Sequence, residues 1–161
     1  MIYGQVTDAN GRSIENVLVD VWQSNDSGFY DVQDDNQPEK NLRGIFKTDT
    51  RGQFWFKTIK PAPYPVPTDG PVGEILRVMG RHPMRPSHIH FMITGAGYEQ
   101  LITHLFVKDD PYLNSDAVFG VKDSLIVDFI PNYSNEKANA LGFRVPFYEI
   151  TYNFKLKRKI S

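Results

Sequence analysis

Apolar residues along this chain recur mostly at every second position in short runs, the period of a strand that buries one face. In Val17-Leu18-Val19-Asp20-Val21-Trp22 three valines share one face, while Leu18, Asp20 and Trp22 take the other. Gln53-Phe54-Trp55-Phe56-Lys57-Thr58 repeats the alternation after the turn residues Asp49-Thr50-Arg51-Gly52. The same logic predicts strands over Ile2 to Thr7, Arg43 to Thr48, His88 to Thr94, Leu101 to Val107, Leu125 to Ile130 and Phe147 to Leu156. Short strands separated by turn signals predict a mainly β fold, an antiparallel β-sandwich with long loops. Gly73 to Met79 and Glu136 to Leu141 supply one or two short helices, and neither is long enough to carry the core. Asp34 to Lys40 and Pro61 to Pro71 read as loops, the second holding five of the eleven prolines. Loops of this length in a compact domain often carry function.

A length of 161 residues suits one domain over residues 1–161. The chain has no cysteine, which removes disulfides, zinc-thiolate sites, iron–sulfur clusters and cysteine nucleophiles. Eighteen Lys and Arg against nineteen Asp and Glu leave a net charge of −1, where a general nucleic-acid or anionic-membrane binder is usually basic. No apolar run approaches the ~20 residues that cross a bilayer. The start, MIYGQVTDANG, lacks a basic segment followed by an apolar one. The expectation is a soluble, cytoplasmic protein that binds neither nucleic acid nor membrane.

The most specific local feature is Arg85-Pro86-Ser87-His88-Ile89-His90-Phe91. Two histidines two apart on a strand project from one face, a spacing that allows chelation by neutral imidazoles. An isolated His-x-His is also what a solvated polar face looks like. No carboxylate lies within the motif, but each of two loops carries a tyrosine: Tyr30 after Gly28-Phe29, and Tyr64 within Pro61 to Pro65. A phenol with pKa near 10 becomes phenolate at neutral pH only beside a strong positive charge, such as a trivalent iron. Two phenolates would neutralise two of its three charges. Phenol rings that merely pack in loops are the ordinary alternative, and spacing does not decide between them.

Taken together, these segments resemble the intradiol ring-cleavage dioxygenases, non-haem iron(III) enzymes, and look closest to the hydroxyquinol 1,2-dioxygenase branch. The matching text is VDVWQ (19 to 23), GFYDVQ (28 to 33), PYPVPTDGPVG (63 to 73), RHPMRPSHIHF (81 to 91) and DPYLNSDAVFGVKDSL (110 to 125), in the family's order. The resemblance implies Fe(III) held by Tyr30, Tyr64, His88 and His90, with Tyr64 and His90 axial. It implies that Arg85 stabilises negative charge growing on the substrate ring. His104 occupies a position that is glutamine in catechol-cleaving relatives, where it either bonds substrate or oxygen, or only packs. Ala117 and Val118 correspond to pocket-lining positions, and His82 is left as structural. The implied reaction breaks the bond joining the two hydroxylated carbons of a catechol-type aromatic and inserts both atoms of O2. Hydroxyquinol would give maleylacetate, and catechol cis,cis-muconate. Long members of the family carry an amino-terminal helical segment that helps form the dimer and one pocket wall. Here the first strand starts at Ile2, so the resemblance covers the catalytic domain without that segment, with a possible homo-oligomer.

Two other readings compete. YGQVTDANGRSIENVLVDV and KTDTRGQFWFKTI are similar to transthyretin-like or carboxypeptidase-regulatory modules, which bind without catalysis. A cupin-like iron(II) site on His88, His90 and His104 would be colourless, whereas phenolate bound to iron(III) gives a burgundy colour.

Overall fold

A computed structural model describes residues 1–160, so Ser161, the last residue of the expected domain, lies outside the described residues. In chain order the strands are β1 (Ile2–Asp8), β2 (Leu18–Gln23), β3 (Arg43–Lys47), β4 (Gln53–Phe56), β5 (Tyr64–Pro65), β6 (Met84–Arg85), β7 (His88–Thr94), β8 (Leu101–Val107), β9 (Ile126–Val127), β10 (Ile130–Asn132), β11 (Phe147–Thr151) and β12 (Phe154–Leu156). Helix α1 (Pro71–Val78) lies between β5 and β6, and α2 (Asn135–Leu141) between β10 and β11. One five-stranded sheet runs β3-β2-β7-β8-β9. The other runs β10-β11-β1-β12, with β4 also paired to β1.

The alternation seen in the sequence decides what lies between the sheets. Val17, Val19 and Val21 are buried, as are Ile89, Phe91 and Ile93 of β7. They meet Val6, Phe54, Phe56 and Phe154 of the opposite sheet in one apolar cluster. Phe91 stands 6.2 Å from Phe56 and 5.0 Å from Phe154, ring centre to ring centre. Full burial of such side chains contributes roughly 1.5–3 kcal/mol each.

The β-sandwich is present, with a more mixed strand order than simple hairpins would give. β11 and β12 both pair with β1 in parallel, and β9 pairs with β8 in parallel. The segment Leu125 to Ile130 does not form one strand. A 3₁₀ turn over Asp123–Leu125 precedes β9, and β10 then crosses to the other sheet. Phe147 to Leu156 is likewise interrupted at Tyr152 and Asn153. There the Asn153 side chain accepts the Gln5 backbone N–H at 3.0 Å, standing in for a ladder bond while the chain steps from β11 to β12.

Both short helices form. Pro71 opens α1, where its fixed φ and missing N–H cost nothing. Ser134 caps α2 by accepting the Lys137 N–H, and Gly142 ends it in the left-handed region. Within the proline-rich loop, Tyr64 and Pro65 pair with Arg85 and Met84 as a two-stranded ladder that lies apart from both main sheets. No helix among the described residues is long and apolar enough to cross a membrane.

Candidate metal centre

Alternation places the odd-numbered residues of β7 in the core, so His88 and His90 emerge together on the opposite face of the same strand. On the strands beside it, Trp22 of β2 and His104 of β8 stand directly opposite His90, forming a row across the sheet. Trp22 stacks on the His90 ring at 4.8 Å with only 7° between the planes. His104 lies 4.4 Å from His90 and 5.2 Å from His88, centre to centre. The three imidazoles form a group able to hold a metal ion.

Two loops close over this row. Tyr30 immediately precedes a 3₁₀ turn at Asp31–Gln33, where its backbone N–H donates to the Gln33 side chain at 3.0 Å. Asp31 is clamped to Arg43 of β3 at 2.8 Å, which holds the loop against the sheet edge. The proline-rich loop is tied to the end of β2 by buried polar side chains. Gln23 donates to the Ile59 carbonyl and accepts from Thr58, and Ser24 donates to the Ala62 carbonyl. The loops meet at Gly28, whose φ is +86°. A Cβ there would stand 3.0 Å from the Pro63 oxygen and 3.1 Å from the Tyr64 Cβ. Glycine therefore serves both the backbone conformation and the approach of Tyr64.

The result is a closed ring of four donor atoms. Tyr30 Oη is 3.1 Å from Tyr64 Oη and 3.0 Å from His90 Nε2. Tyr64 Oη is 3.3 Å from His88 Nε2, which is 3.1 Å from His90 Nε2. Donors bonded to one metal at roughly 2.0–2.1 Å lie about 2.9–3.4 Å apart, so the ring has the dimensions of one coordination shell.

Proton bookkeeping points the same way. His88 Nδ1 lies 2.6 Å from the Pro86 carbonyl, which can only accept, so Nδ1 carries the proton and Nε2 is left with a bare lone pair. That single lone pair is approached by Tyr64 Oη, by His90 Nε2 and, at 3.2 Å, by Arg85 Nη1. One acceptor cannot serve three neighbours well, whereas a cation would bind the lone pairs of His88, His90 and the two tyrosines together and leave the Arg85 N–H groups for another acceptor. Burial, and then the Arg85 charge, push His88 down to about 3. Burial, and then the neighbouring histidines, push His90 down to about 2. His104 is also lowered, chiefly by burial. The imidazoles are thus neutral, the form in which they bind metals. Burial and the Tyr64 hydroxyl raise the Tyr30 pKa, so without a cation its phenol keeps its proton.

The expected site residues sit as follows. Tyr30, Tyr64, His88 and His90 converge, with His104 alongside and Arg85 buried against His88. Gly120 adjoins Arg85, and a Cβ at that position would lie 3.2 Å from Arg85 Nη2 and 3.7 Å from Val118 Cγ2. The adjoining loop carries Ala117, which is buried, and Val118, which is about half exposed. His82 lies apart from the ring, with Nε2 2.8 Å from Ser115 Oγ and Nδ1 accepting the Met84 N–H. Sequence reasoning did not single out Trp22 or Asp116. Trp22 was detectable as the outward-facing aromatic of β2, whereas nothing in residue type distinguished Asp116 from other acids.

The chain is similar to known proteins along almost its whole length. The family model described as Dioxygenase matches residues 1–158. Hydroxyquinol 1,2-dioxygenase of Rhizobium sp. (strain MTP-10005) is 48% identical over 160 residues, covering 98% of this chain and 54% of that protein. Catechol 1,2-dioxygenase of Candida albicans (strain SC5314 / ATCC MYA-2876) is 42% identical over 161 residues, covering 99% of this chain and 52% of that protein. The solved structure of hydroxyquinol 1,2-dioxygenase from Pseudomonas putida DLL-E4 superposes with a TM-score of 0.89 at 47% identity, covering 98% of this chain and 56% of that one. The chain thus spans about half the length of the relatives it matches. A family match along almost its whole length, together with relatives well above 40% identity, places this chain in the intradiol ring-cleavage dioxygenase family.

Proposed function

We propose that residues 1–161 are a single catalytic β-sandwich domain of a non-haem iron(III) intradiol dioxygenase acting on a catechol-type diol, with hydroxyquinol favoured. The observation that carries this is the ring of two phenol oxygens and two imidazole nitrogens at 3.0–3.3 Å. Hard phenolate oxygens suit a trivalent ion better than a three-histidine site alone would. Tyr30, Tyr64, His88 and His90 would hold the iron, which when bound would supply a Lewis acid for the diol and the electronic means of reaction with O2.

The remaining chemistry belongs to this chain's own groups. With iron bound, Tyr64 Oη would be a phenolate able to take up one diol proton, becoming a phenol as it gives up its place to the diol oxygen. Burial works against the Arg85 charge, but Asp116 and the Tyr64 oxygen together outweigh it and raise its pKa. Its Nη2 has no hydrogen-bond partner, so a buried N–H is free for a substrate oxyanion. His104, opposite His90, is within the same polar row and can bond the diol or oxygen. Ala117 and Val118 border Arg85, where small side chains leave room for the third hydroxyl of hydroxyquinol. Trp22 and the two loops restrict water around these groups.

The test is product analysis. Iron-loaded protein incubated with hydroxyquinol and ¹⁸O2 should yield maleylacetate carrying two labelled oxygens, one in each new carboxyl group. Comparison of kcat/KM across hydroxyquinol, catechol, chlorocatechols and protocatechuate should place hydroxyquinol first. Equal or absent turnover of hydroxyquinol removes the substrate assignment, and failure to cleave any diol removes the activity. The relatives, named as dioxygenases, do not favour the transthyretin-like binding module.

A further inference from the structure

Asp116 is a buried carboxylate that belongs neither to the donor ring nor to the core. Its Oδ1 accepts Arg85 Nε at 3.2 Å and the Val118 backbone N–H at 3.4 Å. Its Oδ2 accepts the Gly120 N–H at 2.8 Å. The backbone beside it is pinned as well, since Ala117 N–H donates to the Met84 carbonyl at 3.1 Å and Arg81 donates to the Asp116 carbonyl at 2.9 Å. Every lone-pair direction used by this carboxylate therefore goes either to Arg85 or to the loop that borders it.

A guanidinium is a rigid planar fork, so fixing Nε fixes the directions of both terminal nitrogens. With Nε on Asp116, Nη1 points to His88 Nε2 and Nη2 is left buried and unpartnered. Arg85 retains only 7% of its possible exposure, so its charge also needs a buried counter-charge. Gly120 completes the arrangement, since a Cβ there would press on Arg85 Nη2 and Asp116 Oδ2, each at 3.2 Å.

We propose that Asp116 is a positioning residue for ring cleavage: it aims the free N–H of Arg85 at the substrate and locks the Ala117–Gly120 loop to that same guanidinium. The proposal rests on the dioxygenase reading. It concerns orientation, so the loss should fall on kcat more than on KM.

The test is a double-mutant cycle on iron-loaded protein with Asp116→Ala, Arg85→Gln and the double variant, joined to a crystal structure of Asp116→Ala. Asp116→Ala should lower kcat/KM by about 10- to 100-fold, less than the roughly 10²–10³-fold loss on removing an oxyanion donor outright, since the guanidinium is misdirected and not removed. Iron content and the visible band should be retained. The double variant should be no worse than Arg85→Gln alone, because residues acting through one another are not additive. Additive losses, or an Asp116→Ala enzyme with unchanged kcat, overturn the proposal. In the crystal structure the guanidinium should leave its present position, and an unmoved Arg85 overturns the proposal whatever the activity. If wild type cleaves no diol, the dioxygenase reading fails by itself and the crystal structure still decides the role of Asp116. Should the alanine variant not fold, Asp116→Leu, which keeps the volume but accepts no hydrogen bond from Arg85, is held to the same outcomes.

Discussion

The two faces of the β3-β2-β7-β8-β9 sheet are built from the same strands and do opposite things. Inward, Val19, Val21, Ile89, Phe91 and Ile93 are sealed against the second sheet by apolar contact alone. Outward, Trp22, His88, His90 and His104 are also largely withdrawn from water, but by loops and a charged neighbour. The inner face costs nothing in unsatisfied polar groups. The outer face gathers imidazoles, phenols and a guanidinium that satisfy one another only in part, the expected state of a site prepared for a guest. Stability and chemistry thus come from alternate residues of a single strand.

The comparison is broken most severely from the outer side. Tyr64→Phe or His90→Ala should abolish ring cleavage, His90→Ala with loss of the visible band and Tyr64→Phe with a shifted one because Tyr30 remains, while circular dichroism and thermal unfolding stay close to wild type. Retained cleavage in either variant contradicts the donor assignment. On the inner side, Phe91→Ala should cost roughly 3–5 kcal/mol by chemical denaturation. The protein that remains folded should still take up iron, and loss of iron uptake at full folding would show that the faces are not independent.

Trp22→Ala lies between these cases, because it removes the ring stacked on His90 without touching a donor atom. Iron affinity measured by chelator competition should fall about 10- to 100-fold. An unchanged affinity would mean that β7 alone orients His90.

The smallest effect is expected on the second sheet. The Lys137 hydrogen bond holds the Glu149 carboxyl below its usual range, with Asn132 also donating to it. A depressed carboxylate adds stability above its unfolded pKa, and loses it as pH falls through the folded value. The contribution is therefore fully present above the ordinary Glu value of 4.5 and is lost as pH falls below it through the lowered folded value. Glu149→Gln should flatten this acid limb in urea unfolding measured across pH, by no more than ~1 kcal/mol since Lys137 is half exposed. Catalysis should be unaffected.

Much of this was legible in the chain. Period-two alternation located the valines of β2 and the His88/His90 pair, because side-chain direction in a strand depends only on parity. The family motifs drew the two tyrosines into the same frame. What remained hidden depends on contacts distant in sequence. The break at Asn153 follows from a side-chain bond to Gln5, and β5 exists only because Arg85 and Met84 lie beside it. Asp116 looks like any loop acid until Arg85, 31 residues earlier, is found beneath it.

The central claim is that Tyr30, Tyr64, His88 and His90 share one ferric ion, and the visible spectrum of protein with its metal content quantified tests it most directly. The account predicts one iron per chain and a burgundy phenolate-to-iron band that shifts in Tyr30→Phe and is lost in His90→Ala. A colourless protein at full iron occupancy, or a band indifferent to both tyrosines, would contradict it.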